Sequence, residues 1–175
     1  MGSNKASIDY LDFEQVMTLY IRNIFPERNP HVVKEIGDVG NDIQIYGSKL
    51  YAVINVSHKV DVMTADSCIK IGQVNIPNCR YIRFHGKYAY VTSYAGKVGI
   101  DPDAPLGTVY KVDTASLQIV DKVTVGYQPD ELGIVGDYMY VANSGGYRAP
   151  NYDNTVSVIE LERFKQVKKI PVGIN

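Results

Sequence analysis

One phrase occurs three times in this chain. Tyr46-Gly47-Ser48-Lys49-Leu50-Tyr51-Ala52-Val53-Ile54-Asn55 aligns with His85-Gly86-Lys87-Tyr88-Ala89-Tyr90-Val91-Thr92-Ser93-Tyr94 and with Val135-Gly136-Asp137-Tyr138-Met139-Tyr140-Val141-Ala142-Asn143-Ser144. The shared glycines fall at 47, 86 and 136, so the copies are spaced by 39 and 50 residues. Self-similarity at such a period is the mark of a repeat architecture, in which each unit buries its faces against its neighbours.

Each copy introduces four short β-type runs. Over 41–78 they are Asp42–Tyr46, Lys49–Asn55, Lys59–Thr64 and Lys70–Ile76. Over 79–128 they are Tyr81–His85, Lys87–Tyr94, Gly107–Asp113 and Gln118–Val125. Over 129–175 they are Glu131–Val135, Asp137–Asn143, Thr155–Glu160 and Gln166–Val172. Gly47-Ser48 and Ala65-Asp66-Ser67 supply turn chemistry between runs. Several runs, Tyr138 to Ala142 among them, are apolar without alternation, so both of their faces are covered. Four short antiparallel strands per unit, each sheet held between neighbours, is the arrangement of propeller blades. A two-sheet sandwich predicts alternating strands and no such echo. The expectation is therefore an all-β chain, a single partial β-propeller of about three and a half blades.

The missing half lies at the N-terminal end. Residues 5–22 predict two strands equivalent to the last two of a blade, and 23–40 a long connection, so 1–40 reads as a half blade plus a link. Pro26 and Pro30 each bias the residue before them away from helix, which leaves 31–36 as the place for a short helical turn. An open arc of blades exposes sheet faces that neighbours normally bury. The chain is therefore expected to associate with itself through its terminal blades.

Composition narrows the function classes. Fourteen Tyr with no Trp favours strands. A net charge of −1 and a pI near 6.3 argue against nucleic acid or a membrane surface held through bulk charge. No apolar run is long enough to span a bilayer, and Met1 to Lys5 carries no apolar signal core. Cys68 and Cys79 read as two small buried or half-buried thiols, a disulfide between them being possible but not expected. His31, His58 and His85 share no ligand spacing, and Asp101 with Asp103 falls far short of a calcium shell, so no metal is expected. No Gly-rich phosphate loop occurs, no cofactor is implied, and Ser93 and Ser144 lack a nucleophile-elbow context. With no nucleophile–base–orienter set in view, the expectation is a non-enzymatic module.

The third repeat resembles the YVTN-type β-propeller repeat of bacterial surface-layer and lipoprotein-like proteins. The resemblance rests on Tyr140-Val141-Ala142-Asn143, Thr155-Val156-Ser157-Val158-Ile159-Glu160 and Ile170-Pro171-Val172-Gly173. Val125-Gly126-Tyr127-Gln128-Pro129 fits the junction between repeats, while Tyr90-Val91-Thr92-Ser93 and Tyr51-Ala52-Val53-Ile54-Asn55 match more loosely. The resemblance implies a ring that is commonly seven-bladed and an extracytoplasmic setting, periplasm or cell surface. It assigns no chemistry, because the matched residues are strand and turn positions.

Propeller topology still selects a face. The loops after the second and fourth strands open on one side, together with the starts of the inner strands. The long loops Ala95–Leu106 and Ser144–Asn154 lie there, and loops of that length are functional or interfacial. The candidate ligand-binding residues are Asp42, Arg80, Tyr81, Tyr94, Asp130, Glu131, Tyr147 and Tyr152, an arginine among carboxylates and tyrosines suited to a glycan, peptide or protein. Their default reading is architectural: tyrosines pack blades, and Arg–Asp pairs join them. An assembly module whose blades are themselves the interface, and an enzyme with a channel site of the lyase or hydrolase kind, are the alternatives.

Overall fold

In each repeat a left-handed glycine turns the inner strand into its neighbour. Gly47, Gly86 and Gly136 have φ of 59°, 57° and 56°, with nothing within 4 Å of an added Cβ, so the backbone conformation and not space calls for glycine. The computed structural model describes residues 5–13, 19–32 and 35–173. Among them the strands form three four-stranded antiparallel sheets, each in simple chain order, and one two-stranded sheet.

The first large sheet is β3 (Gly40–Tyr46), β4 (Lys49–Ile54), β5 (Lys59–Thr64) and β6 (Lys70–Asn75). The second is β7 (Cys79–His85), β8 (Tyr88–Ser93), β9 (Leu106–Asp113) and β10 (Ile119–Tyr127). The third is β11 (Pro129–Val135), β12 (Tyr138–Asn143), β13 (Thr155–Glu160) and β14 (Lys165–Pro171). These are blades of a partial β-propeller, and the echoed phrase is each blade's first turn and second strand. Tyr51, Tyr90 and Tyr140 hold one register position, opposite Gln44, Arg83 and Gly133.

Burial follows the junctions between sheets. Tyr51, Val53, Val60 and Val62 of the first pack with Ile82, Ala89 and Val91 of the second, and Phe84 stacks on Tyr46 at 4.5 Å. Tyr90 and Val109 pack in turn with Leu132, Met139, Val141 and Ile159 of the third. A wholly buried valine or isoleucine contributes about 1.5–3 kcal/mol, so the junctions hold the arc together.

The N-terminal segment covers the other side of the first blade. β1 (Tyr10–Asp12) and β2 (Leu19–Ile21) pair antiparallel, as the two expected strands should; residues 14–18 of that expectation lie outside the described residues. The helical turn is displaced from the expected 31–36. It is α1 (Ile24–Arg28), and it contains Pro26, because a helix's first-turn N–H groups have no intrahelical acceptor to lose. Ile24 and Phe25 are buried there with Leu50, Ile54 and Met63. Both cysteines are free and buried, and burial pushes the Cys79 thiol up to about 12.

Each inner strand begins with a bulge, between Gly40 and Asp42, Cys79 and Ile82, and Pro129 and Leu132. A bulge re-aims side chains at a strand end. Here it turns out the polar residues at the starts of the inner strands.

Candidate functional site

The site is organised on Asp130 at the start of β11. Its carboxylate accepts from Arg80 Nε at 3.2 Å and from the Tyr94 hydroxyl at 2.6 Å, and Ser144 Oγ lies 2.8 Å from its second oxygen. The Arg80 guanidinium lies over the Tyr94 ring, 4.7 Å from its centroid. Tyr94 is buried, and burial first, then the hydrogen bond to Asp130, push its phenol above the ordinary tyrosine range, so it remains the donor. Arg80 and Asp130 come from neighbouring blades, which makes the ion pair a clamp across the junction.

Both long loops are tied into this frame. The Tyr147 amide donates to Gln128 Oε1 at 2.6 Å, and Gln128 is itself buried. The Asp101 amide donates to the Tyr147 carbonyl at 2.8 Å, joining the loop of the second blade to that of the third. Arg148 lies 3.6 Å over the Tyr127 ring. Asp153 accepts from the Tyr127 amide and from Thr155 Oγ1, both at 2.7 Å. Gly145, with φ of 56°, lets the backbone pass where an added Cβ would sit 2.4 Å from the Asp153 nitrogen.

Between these walls is a cavity of about 560 Å³, which Arg80, Tyr94, Asp130, Glu131, Tyr147 and Tyr152 line. These are six of the eight residues singled out from the sequence. The other two lie elsewhere. Asp42 accepts from the Ile82 amide at 3.0 Å and from Arg83 at 2.8 Å, which commits it to the junction between the first two blades. Tyr81 packs against the core between the second and third blades.

Sequence reasoning missed three contributors. Ser144, which it weighed only as a nucleophile, buttresses Asp130, and Asp153 holds the Tyr127 backbone. Arg83 bridges Asp42 and Glu131 at 2.8 and 2.6 Å, making a charged row across three inner strands. The available signal for Arg83 was its alternation with Ile82 and Phe84, which sets it on the opposite face of β7 from the one they pack on the first blade. Chemically the arrangement offers aromatic faces and hydrogen-bond partners. His85 ends β7 beside the Gly86 turn, at the opposite end of that strand from Arg80.

No family model matches the chain, and no curated protein does, so the YVTN resemblance rests on the residues quoted for it. Solved structures do match. Hydrazine synthase of Kuenenia stuttgartiensis is 23% identical with a TM-score of 0.64, over 77% of this chain and 36% of that one. The dihydro-heme d1 dehydrogenase NirN is 12% identical with a TM-score of 0.56, over 75% of this chain and 28% of its own. AztD from Citrobacter koseri is 14% identical with a TM-score of 0.54, over 78% and 34%. The chain thus spans only 28–36% of the length of these proteins. At such identities the likeness is one of fold, and the fold is a β-propeller. It corrects one expectation. Two of these neighbours are enzymes by name, so the fold gives no ground for calling the module non-enzymatic.

Proposed function

We propose that the chain is a ligand-binding propeller module whose loop-face cavity takes a polar, ring-bearing ligand, a glycan in the first instance. The observation that carries this reading is the pre-ordered Arg80–Asp130–Tyr94 assembly, set beneath the half-exposed rings of Tyr147 and Tyr152. The loop that carries both rings is tied to the frame through Tyr147 and Asp153, so the rings lose less entropy on binding than those of a free loop. They offer stacking faces to the C–H surface of a sugar, while hydroxyls and carboxylates meet its polar edge. Among the lining residues one arginine, Arg80, stands against three carboxylates, Asp130, Glu131 and Asp153, which favours neutral over acidic sugars. A peptide or protein segment with an exposed aromatic or amide-rich edge fits the same chemistry. The YVTN resemblance supports an extracytoplasmic setting, periplasm or cell surface. No helix among the described residues is long and apolar enough to cross a membrane.

The test is calorimetric titration with a panel of neutral and uronic-acid oligosaccharides, repeated on Tyr147→Ala and Tyr152→Ala. Binding of a neutral member, weakened about tenfold or more by each substitution, is the expected result. Equal binding by parent and variants removes the cavity from the reading. Chromatography of the recovered sugar then tells whether it is merely bound or also converted.

A further inference from the structure

The residue before each inner strand is left-handed in all three blades, with φ of 58° at Val39, 43° at Asn78 and 47° at Gln128. Each gives its carbonyl to the amide that follows the second strand of its blade, that of Asn55, Tyr94 and Ser144 in turn, so the three positions are equivalent. In two of them the side chain holds the long loop of its own blade. Asn78 Nδ2 donates to the Gly96 and Lys97 carbonyls at 3.2 and 3.0 Å, and Gln128 Oε1 accepts from the Tyr147 amide.

Val39 has neither the chemistry nor the loop. Its side chain carries no polar atom, and only residues 55–58 join β4 to β5. Valine is also β-branched, which makes a positive φ costly where asparagine tolerates it. Among the described residues Val39 is the one β-branched residue so held. Strain that a fold maintains in this way points to function at that place.

The place is a second cavity on the loop face, of about 220 Å³, beside the short 55–58 connection. Val39, Val56 and Val98 give it apolar walls, and Val56 and Val98 are exposed. The amides that line it are engaged with one another and with backbone: Asn55 Nδ2 donates to Asn78 Oδ1 at 2.6 Å and to the Cys79 carbonyl at 2.9 Å. Arg80, Tyr94 and Tyr147 line this cavity and the larger one alike, so the two adjoin across a shared wall.

We propose that the smaller cavity is an apolar subsite, taking a phenyl-sized group carried by the ligand whose polar ring occupies the larger one. Size and lining set the class. An apolar cavity of about 150 Å³ holds a benzene, and the three valines offer a hydroxyl no partner. Arg80, the charged residue in the lining, is already paired with Asp130. A neutral glycan with an aryl substituent suits both compartments. Joint occupancy rests on the glycan reading of the larger cavity, whereas the apolar subsite stands without it.

The experiment is calorimetric titration with matched methyl and phenyl glycosides of neutral sugars. The parent is expected to bind the phenyl member about tenfold or more tightly than its methyl counterpart. Val39→Asn, which restores the residue type of the second blade, should reduce that ratio to less than about twofold without lowering the melting temperature, since asparagine takes the left-handed conformation more readily. Val98→Ser, at an exposed loop position, should do the same and serves alone should Val39→Asn unfold. Tyr152→Ala, which lines only the larger cavity, should weaken both glycosides alike. Equal binding of the two glycosides by the parent overturns the proposal, and so does a phenyl preference that survives in the folded variants. If no glycoside binds, the glycan reading fails, and phenol alone, followed by ligand-observed NMR, decides the subsite. Saturable phenol binding that Val39→Asn or Val98→Ser removes upholds it; no binding, or binding indifferent to both substitutions, overturns it.

Discussion

Replacing Asp130 by alanine should unfasten the second blade from the third and leave the apolar junction intact. Arg80 Nε and the Tyr94 hydroxyl lose their acceptor, and Ser144 Oγ keeps only the Gln128 carbonyl. A hydrogen bond to an ionised group contributes about 1.5–3 kcal/mol, and a buried donor left unpaired forfeits its hydration as well. Tyr94 is 4% exposed and bears the full effect, while the Arg80 side chain, at 16%, and Ser144 can turn partly toward the water of the cavity. The expected total is about 3–4 kcal/mol for Asp130→Ala and roughly half of that for Asp130→Asn, whose amide oxygen still accepts. Urea unfolding reads this as a lower midpoint at unchanged slope. A second readout separates the hydrogen bond from general loosening. In Asp130→Ala the Tyr94 phenol should titrate at lower pH than in the parent, yet remain above the ordinary tyrosine range, because burial, the larger cause, persists. In a double-mutant cycle, Tyr94→Phe should cost markedly less in the Asp130→Ala background than alone. A loss below about 0.5 kcal/mol, the size of an ordinary surface substitution, would refute the clamp.

Stability should also fall on the alkaline side. The folded Cys79 thiol is raised from 9.0 to about 12, so its contribution is complete below pH 9 and is lost as pH climbs toward 12. Urea midpoints of the parent should therefore drop over that range more steeply than those of Cys79→Ala. Gly136→Ala forces a left-handed alanine into open space and should cost about 1–2 kcal/mol, read as a lower melting temperature. Gly107→Ala should cost more, because its Cβ would stand 2.0 Å from the Pro129 ring; equal losses for the two would show that the close packing of Gly107 on Pro129 is readily relaxed. Asn143→Ala strands the Gly126 amide and leaves Thr155 and Ser157 without the side-chain amide that donates to them, and about 2–3 kcal/mol should disappear from the unfolding free energy.

What the sequence disclosed and what it withheld divide along physical lines. The blades were legible because a β-turn needing positive φ, followed by an apolar run, is a local pattern, and Lys59–Thr64 and Thr155–Glu160 begin and end where local pattern placed them. The cavity's tyrosines were legible because topology alone puts both long loops on one face. Asp42 and Arg80 look alike as polar residues at inner-strand starts. Their fates separate only because Arg83 reaches Asp42 across a junction, and no single repeat encodes that. The helix was misplaced because Pro26 weighs against helix everywhere except in a first turn. Ser144 was judged as a nucleophile, and its actual role depends on a carboxylate 14 residues earlier in the chain.

The bond from the Asp101 amide to the Tyr147 carbonyl makes the loops of two repeats a single mechanical part. Repeat proteins usually diversify by altering one unit at a time, since each unit answers only to its neighbours. Here the two long loops are inherited jointly. A loop transplanted from a homologous repeat would arrive without its counterpart and lose its shape, so the second and third repeats must be recombined, or redesigned, as a pair.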